Sequence, residues 1–169
     1  MKNVSERDFE QAIVFLSSRY RSSTNPKPVL LHSIRVGLML CQLGYKKEIV
    51  LAGFLHDVIE DMHVTKEEIQ KHFGSHVADF VASVSFNPNI KDKTKRYKEQ
   101  MSRASSVGKD ALLVETADIL DNSEYFFLAT DEDRKVLLEK YAYFLKISRS
   151  LLSEETVWKK LLRRVRHFQ

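Results

Sequence analysis

The side chains that can do chemistry are concentrated in His56-Asp57-Val58-Ile59-Glu60-Asp61, where one imidazole and three carboxylates share six positions. Read as the end of one helix from about Lys46 to Asp61, His56 and Glu60 lie four apart, as do Asp57 and Asp61. Two polar stripes then run side by side towards the helix end. Acids there oppose the negative end of the helix dipole at a cost of ~0.3–1 kcal/mol each. A bound cation reverses that penalty. The plainer alternative is a solvated acidic helix end with a satisfied histidine.

Two other positions add to this hexapeptide. His32 lies on a second helix with Arg35 and Val36 on its face, off the apolar stripe formed by Leu31, Ile34, Leu38 and Cys41. Asp118 interrupts the apolar stretch Ala111–Leu120, where a charge is expensive unless paired. Its partner is either a Lys or Arg elsewhere or a metal ion. Glu115, Asp118, Asn122 and Tyr125 share its face. His32, the His56-Asp57 pair and Asp118 make a mixed nitrogen and oxygen donor set without thiolate. Such a set suits Mn²⁺, Fe²⁺ or Mg²⁺ better than structural zinc. Four ligands on an octahedral ion leave two positions for water and substrate.

The elements that must carry these groups are helices from end to end. Phe9, Ala12, Ile13, Leu16 and Tyr20 repeat at helical spacing, and a loop follows over Arg21–Pro28. The His32 helix ends near Gly44. Thr65-Lys66-Glu67-Glu68 opens a short helix that stops at Gly74, and Ser75–Phe86 forms the next. Lys91–Met101 reads as a charged segment and Ser105–Gly108 as a loop. Asp110–Phe127 is an apolar-rich helix, and two more fill Asp131–Gln169. Five glycines and three prolines in 169 residues are too few for a sandwich or barrel of many short strands. The fold class is all-α, one domain over residues 1–169, with 131–169 as C-terminal helices packed on it.

The charge balance and the remaining motifs narrow the partners. A net charge of +4 permits an anionic small-molecule substrate without demanding a nucleic acid. The basic residues of 159–166 alternate with Trp158, Leu161, Leu162 and Val165, as in an amphipathic helix docked on the domain. His63, His72, His76 and His167 read as surface or packing residues. The single cysteine, Cys41, cannot form an internal disulfide and reads as core filler. The longest apolar run, Val36–Cys41, is far short of the ~18 residues of a membrane span. A charged N-terminal stretch carries no secretory signal, so a cytoplasmic location is expected, with oligomerisation left open.

Four stretches resemble the HD-domain phosphohydrolases, whose motif is H…HD…D, and more closely the hydrolase domain of the RelA/SpoT family and its stand-alone small alarmone hydrolases. They are Lys27–His32, Ala52–Asp61, Thr65–Ile69 with Phe73-Gly74 and Val77-Ala78, and Val114–Asn122. The resemblance spans about residues 19–127. It implies an HD-domain helical bundle in which His32, His56, Asp57 and Asp118 bind Mn²⁺ and Glu60 and Asp61 handle the attacking water. It further implies nucleotide contacts from Arg21, Lys93 and Asn122, with Tyr141 as a later contact. The activity implied is removal of the 3′-pyrophosphate of guanosine tetra- or pentaphosphate, the nucleotides of the stringent response. The sequence departs from the family at Val29, Ser33 and Glu115, where the family has Tyr, Pro and Lys. Those departures leave the implied ligands intact and bear on the substrate. An HD phosphohydrolase acting on another nucleotide or a nicotinamide dinucleotide phosphate, and a non-catalytic nucleotide-binding module, are the alternatives.

Overall fold

The computed structural model describes residues 4–21, 25 and 27–168; the loop expected over Arg21–Pro28 lies partly outside them. The described elements are helices: α1 Glu6–Arg19, α2 Val29–Gln42, α3 Lys47–Leu55, α4 Val58–Met62, α5 Lys66–Phe73, α6 Ser75–Val84, α7 Lys93–Val107, α8 Lys109–Asn122, α9 Asp131–Leu152 and α10 Thr156–Arg166, with a 3-10 turn over Ser123–Leu128. Among the described residues none is long and apolar enough to cross a membrane. Local signals set many of the starts. Thr65, Asp92 and Thr130 each accept a hydrogen bond from a backbone N–H of the first turn they open.

α8 is the axis. Every residue from Ala111 to Asp121 is buried, because α2, α3, α6, α7, α9 and α10 all pack on it. One hydrophobic core runs from Ala12 to Val165. α10 docks through Val157, Trp158, Leu161 and Val165, and its basic side chains face outward or half outward. Any acid on α8 is therefore surrounded by other helices.

Four elements differ from the sequence reading. The buried face of α2 carries His32, Ser33, Val36, Gly37 and Leu40, whereas Leu31 and Leu38 are 54% and 40% exposed. The reason is close approach: the Phe54 ring of α3 lies directly over Gly37, so the face of small residues turns inward. The helix expected from Lys46 to Asp61 is broken at His56 and Asp57 into α3 and α4, with Asp57 at φ −94°, ψ −3°. Glu60 and Asp61 thus belong to the short α4, Val58–Met62, and no longer stand at the C-terminal end of one long helix, whose dipole set the expected penalty. Lys91–Gly108 contains one continuous helix, since Tyr97, Gln100, Met101 and Ala104 form a buried stripe at helical spacing. α8 stops at Asn122, and the chain tightens into the 3-10 turn, where the Ser123 hydroxyl donates to the Leu120 carbonyl.

The α2–α3 hairpin has a specific tolerance. A Cβ on Gly37 would lie within 3.0 Å of three Phe54 ring carbons, and one on Gly53 would lie 2.6 Å from Leu40 Cδ1 and 3.3 Å from the Gly37 Cα. Gly37→Ala should lower unfolding free energy by ~1–3 kcal/mol in urea titration, the usual cost of overpacking. Leu38→Ala, on the exposed face, should change it by no more than about 0.5 kcal/mol. Equal effects would place the crossing elsewhere.

Candidate metal centre

The glycine crossing has a chemical result. His32 sits five residues before Gly37 on α2, and His56 three residues after Gly53 at the end of α3. Their rings meet edge to face, with centroids 4.9 Å apart. Both are buried. His32 Nε2 and His56 Nε2 are 3.0 Å apart, and both approach Asp118 Oδ1, at 3.0 and 3.2 Å. Asp57 joins from the α3–α4 break, with Oδ2 3.5 Å from His32 Nε2 and Oδ1 3.2 Å from His56 Nε2. Three of the four expected ligands, His32, His56 and Asp118, therefore meet at one point, and Asp57 lies beside the two imidazoles.

The remaining ring nitrogens decide what that point needs. His56 Nδ1 is 2.8 Å from the Gly53 carbonyl oxygen, which can only accept, so Nδ1 carries the proton. His32 Nδ1 is 2.6 Å from Asp121 Oδ2, and that carboxylate likewise takes its N–H. In the neutral rings both Nε2 atoms then present lone pairs to each other and to the Asp118 carboxylate. Such an arrangement is stable only with positive charge between the groups. Without a metal that charge is a proton: burial opposes it, but Asp57 and Asp118 raise the His56 pKa well above its ordinary value. Burial likewise opposes ionisation of Asp118, and the hydrogen bonds of His32 and His56 outweigh it, holding its pKa well below the carboxylate range. A divalent cation satisfies the same donors. Ligands bound at roughly 2.1 Å and at right angles lie roughly 3 Å apart, the spacing of this cluster. The donor set fits a metal, and His32, His56 and Asp118 form a group able to hold one.

Surrounding groups hold the donors in place. The Arg35 guanidinium donates through Nε and Nη2 to both oxygens of Asp121, each at 2.8 Å, and Nη2 also reaches the Tyr125 hydroxyl at 3.0 Å. Burial would raise the Asp121 pKa, but Arg35 and His32 hold it down to about 2. Asn122 Nδ2 donates to Asp118 Oδ1 at 2.6 Å, while its Oδ1 accepts from Lys27 Nζ at 2.8 Å. Lys27 Nζ lies 3.8 Å from Asp57 Oδ2. Glu60 accepts the Phe86 backbone N–H at 2.6 Å, and burial, with Asp57 adding repulsion, pushes its pKa up to about 8.

The cluster opens into a cleft of about 390 Å³ lined by Asp57, Glu60, Asp61 and Asp118 and by the cations Lys27, Lys93, Arg96 and Lys140. Asn122 and Lys93 lie on its walls, Lys93 at the rim in an ion pair with Asp133 at 2.7 Å. Arg21 does not join them: it is exposed past the end of α1 and is not among the lining residues. Tyr141 is buried and lines an adjoining cavity. Lys27, Arg96, Lys140, Asp121 and the Arg35–Asp121 pair were missed in the sequence. The available signals were the spacing of Lys27 ahead of His32 and of Asp121 one turn after Asp118.

Glu115 is 1% exposed. Its Oε2 accepts from Gln100 Nε2 at 3.2 Å, and its Oε1 lies 3.8 Å from Lys140 Nζ. Burial pushes its pKa up to about 7, with Lys140 pulling the other way. The acid that replaces the family lysine is paired inside the protein.

An all-helical domain with an imidazole–carboxylate centre at the meeting of α2, α3 and α8 defines the class of protein. A family model described as "HD domain" matches residues 12–160, and the chain belongs to that family. It is 31% identical over 116 residues, 68% of this chain and 17% of the relative, to a guanosine-3′,5′-bis(diphosphate) 3′-pyrophosphohydrolase of Aquifex aeolicus. To the protein of that name in Vibrio cholerae it is 28% identical over 137 residues, 78% of this chain and 19% of the relative. The chain spans about a fifth of the length of these curated relatives. Among solved structures it is similar to a metazoan ortholog of SpoT described as hydrolysing ppGpp, with TM-score 0.79 and 22% identity over 98% of this chain and 97% of that one. A Listeria monocytogenes protein matches at TM-score 0.73 and 22% identity, covering 85% of this chain and 99% of its own. Both structures share the fold.

Two substitutions test the centre. Asp121→Asn should weaken metal affinity by about 10–100-fold in a chelator competition, the usual effect of losing a carboxylate behind a ligating histidine; unchanged affinity would remove Asp121 from the centre. Glu115→Lys should cost ~3–5 kcal/mol, because it sets a second buried cation against Lys140. Glu115→Gln should cost less, and the comparison is read by thermal melting.

Proposed function

We propose that this chain is a cytoplasmic, Mn²⁺-dependent hydrolase that removes the 3′-pyrophosphate of guanosine tetra- or pentaphosphate. The observation that carries the reading is the meeting of His32, His56 and Asp118, with Asp57 beside them, next to a cleft whose walls hold four cations. The names of the curated relatives supply the substrate class. Fe²⁺ and Mg²⁺ satisfy the same donor types.

His32, His56, Asp57 and Asp118 would hold the metal, which when bound lowers the pKa of a water and polarises a phosphoryl oxygen. Glu60, held as the carboxylate by the positive charge of a metal in the centre, would be able to take the proton of that water. Its Oε1 is fixed by the Phe86 N–H, which leaves Oε2 for the transfer. Asp61, exposed at the mouth of the cleft, keeps the water oriented. Lys93 and Arg96 meet the pyrophosphate from the α7 side, and Lys27, anchored on Asn122, meets it from the α2 side. The water oxygen bonds to the 3′-linked phosphorus as the 3′-oxygen–phosphorus bond breaks, and the 3′-oxygen takes up a proton; pyrophosphate leaves, with GDP as the other product from the tetraphosphate and GTP from the pentaphosphate. Because Glu115 is paired with Lys140 and turned inward, its negative charge does not oppose a doubly pyrophosphorylated nucleotide. Arg21 has no part in this arrangement, and Lys27 and Arg96 take its place.

The purified, Mn²⁺-loaded chain should release GDP and pyrophosphate from guanosine tetraphosphate. Glu60→Gln should keep the metal and slow turnover by ~10²–10⁴-fold. Parallel loss of metal would make Glu60 a ligand. Hydrolysis of a deoxynucleotide or a nicotinamide dinucleotide phosphate instead would assign a different substrate, and binding without turnover of any of them would make the chain a binding module.

A further inference from the structure

Arg35 and Asp121, which steady His32, also line a second concavity of about 830 Å³ that shares no lining residue with the cleft. Its cationic side comes from α10. Lys160, Arg163, Arg164 and His167 follow at helical spacing, so they form one stripe along the groove. Its apolar side comes from Leu38, Leu120 and Phe168.

The charges in the groove are not balanced. Arg35 is committed to Asp121 and Arg164 to Glu124, at 2.5 Å. Lys160 has no acidic partner among the described residues, and Arg163 spends only its Nε, on the Lys159 carbonyl at 3.3 Å. Arg35 Nη1 also lacks a partner among the described residues. Two cations and a spare guanidinium edge therefore face a concavity with an apolar wall. Its volume lies within the roughly 300–1,000 Å³ of small-molecule sites. An apolar wall beside forked cations suits a planar, phosphorylated ligand: the ring system covers the apolar side, and the phosphate takes the guanidinium and ammonium groups.

We propose that this groove is a second nucleotide site, with the phosphate held by Lys160 and Arg163 and the base laid against Leu38 and Phe168. The proposal does not depend on the reaction assigned to the cleft. GMP is a suitable probe because it has no pyrophosphate to lose. In a titration of the ¹⁵N-labelled, Mg²⁺-loaded chain with GMP, the amides of residues 160–168 should shift and saturate. Lys160→Ala with Arg163→Ala should weaken that response by about tenfold or more, as expected for losing charge-assisted bonds, and leave any shifts around Phe86–Gln100 unchanged. Both residues are exposed, so the double variant should keep the wild-type melting temperature. Three outcomes overturn the proposal: no shift on α10 at millimolar GMP, undiminished binding by the double variant, or equal shifts with inorganic phosphate alone, which would mean an anion site that does not read the base.

Discussion

One electrostatic constraint governs the centre of this protein: Asp118 is a buried carboxylate with no lysine or arginine paired to it among the described residues. Three neighbouring acids are each answered by a cation. Asp57 has Lys27, Asp121 has Arg35, and Glu115 has Lys140. Glu60 has only the Phe86 N–H and is driven towards its neutral form. Asp118 has the Asn122 amide and two imidazoles whose outer nitrogens are already committed. An isolated buried charge is far too costly to persist. The fold therefore leaves a place for one positive charge at the meeting of α2, α3 and α8, and the chemistry follows from what fills it.

The packing exists to hold that place. Gly37 and Gly53 let α2 and α3 approach closely enough for two histidines to touch. The break at His56 and Asp57 then redirects the chain, so that Asp57 points at the donors while Glu60 and Asp61 move to the cleft. A continuous helix would put His56 and Asp57 about 100° apart around its axis and keep Glu60 in the turn above His56. The break separates His56 and Asp57, at the donor cluster, from Glu60 and Asp61, although all four residues lie within one hexapeptide.

The sequence shows the all-α class and most helix positions, because periodic apolar residues and capping side chains are local signals. It also shows which residues have the chemistry of ligands. It misleads where inward and apolar are different things. α2 turns His32, Ser33 and Gly37 inward and leaves Leu31 and Leu38 partly in solvent, since close approach to Phe54 outweighs the larger apolar surface. The charged run beginning at Lys91 hides the buried stripe of α7 in the same way. The break after α3 has no proline or glycine to announce it. Lys27, Asp121 and Arg35 carry at most a spacing signal in the sequence, because their role depends on a partner about 30 to 95 positions away.

Glu115 shows why a departure from a family pattern has to be read in space. In sequence it replaces a cation with an anion one turn before Asp118, which suggests a weaker hold on a highly charged nucleotide. In the structure Lys140 of α9 reaches the same spot, so a cation is still present, supplied by another helix. Lys140 also lines the cleft. Its pKa is raised: burial opposes the charge, but Glu115 and then Asp118 outweigh it. The pair thus keeps a protonated amine beside the cleft without placing an unpaired ammonium in the core. The acid fixes the position of the cation, so an ammonium group stands beside the cleft although residue 115 itself is acidic.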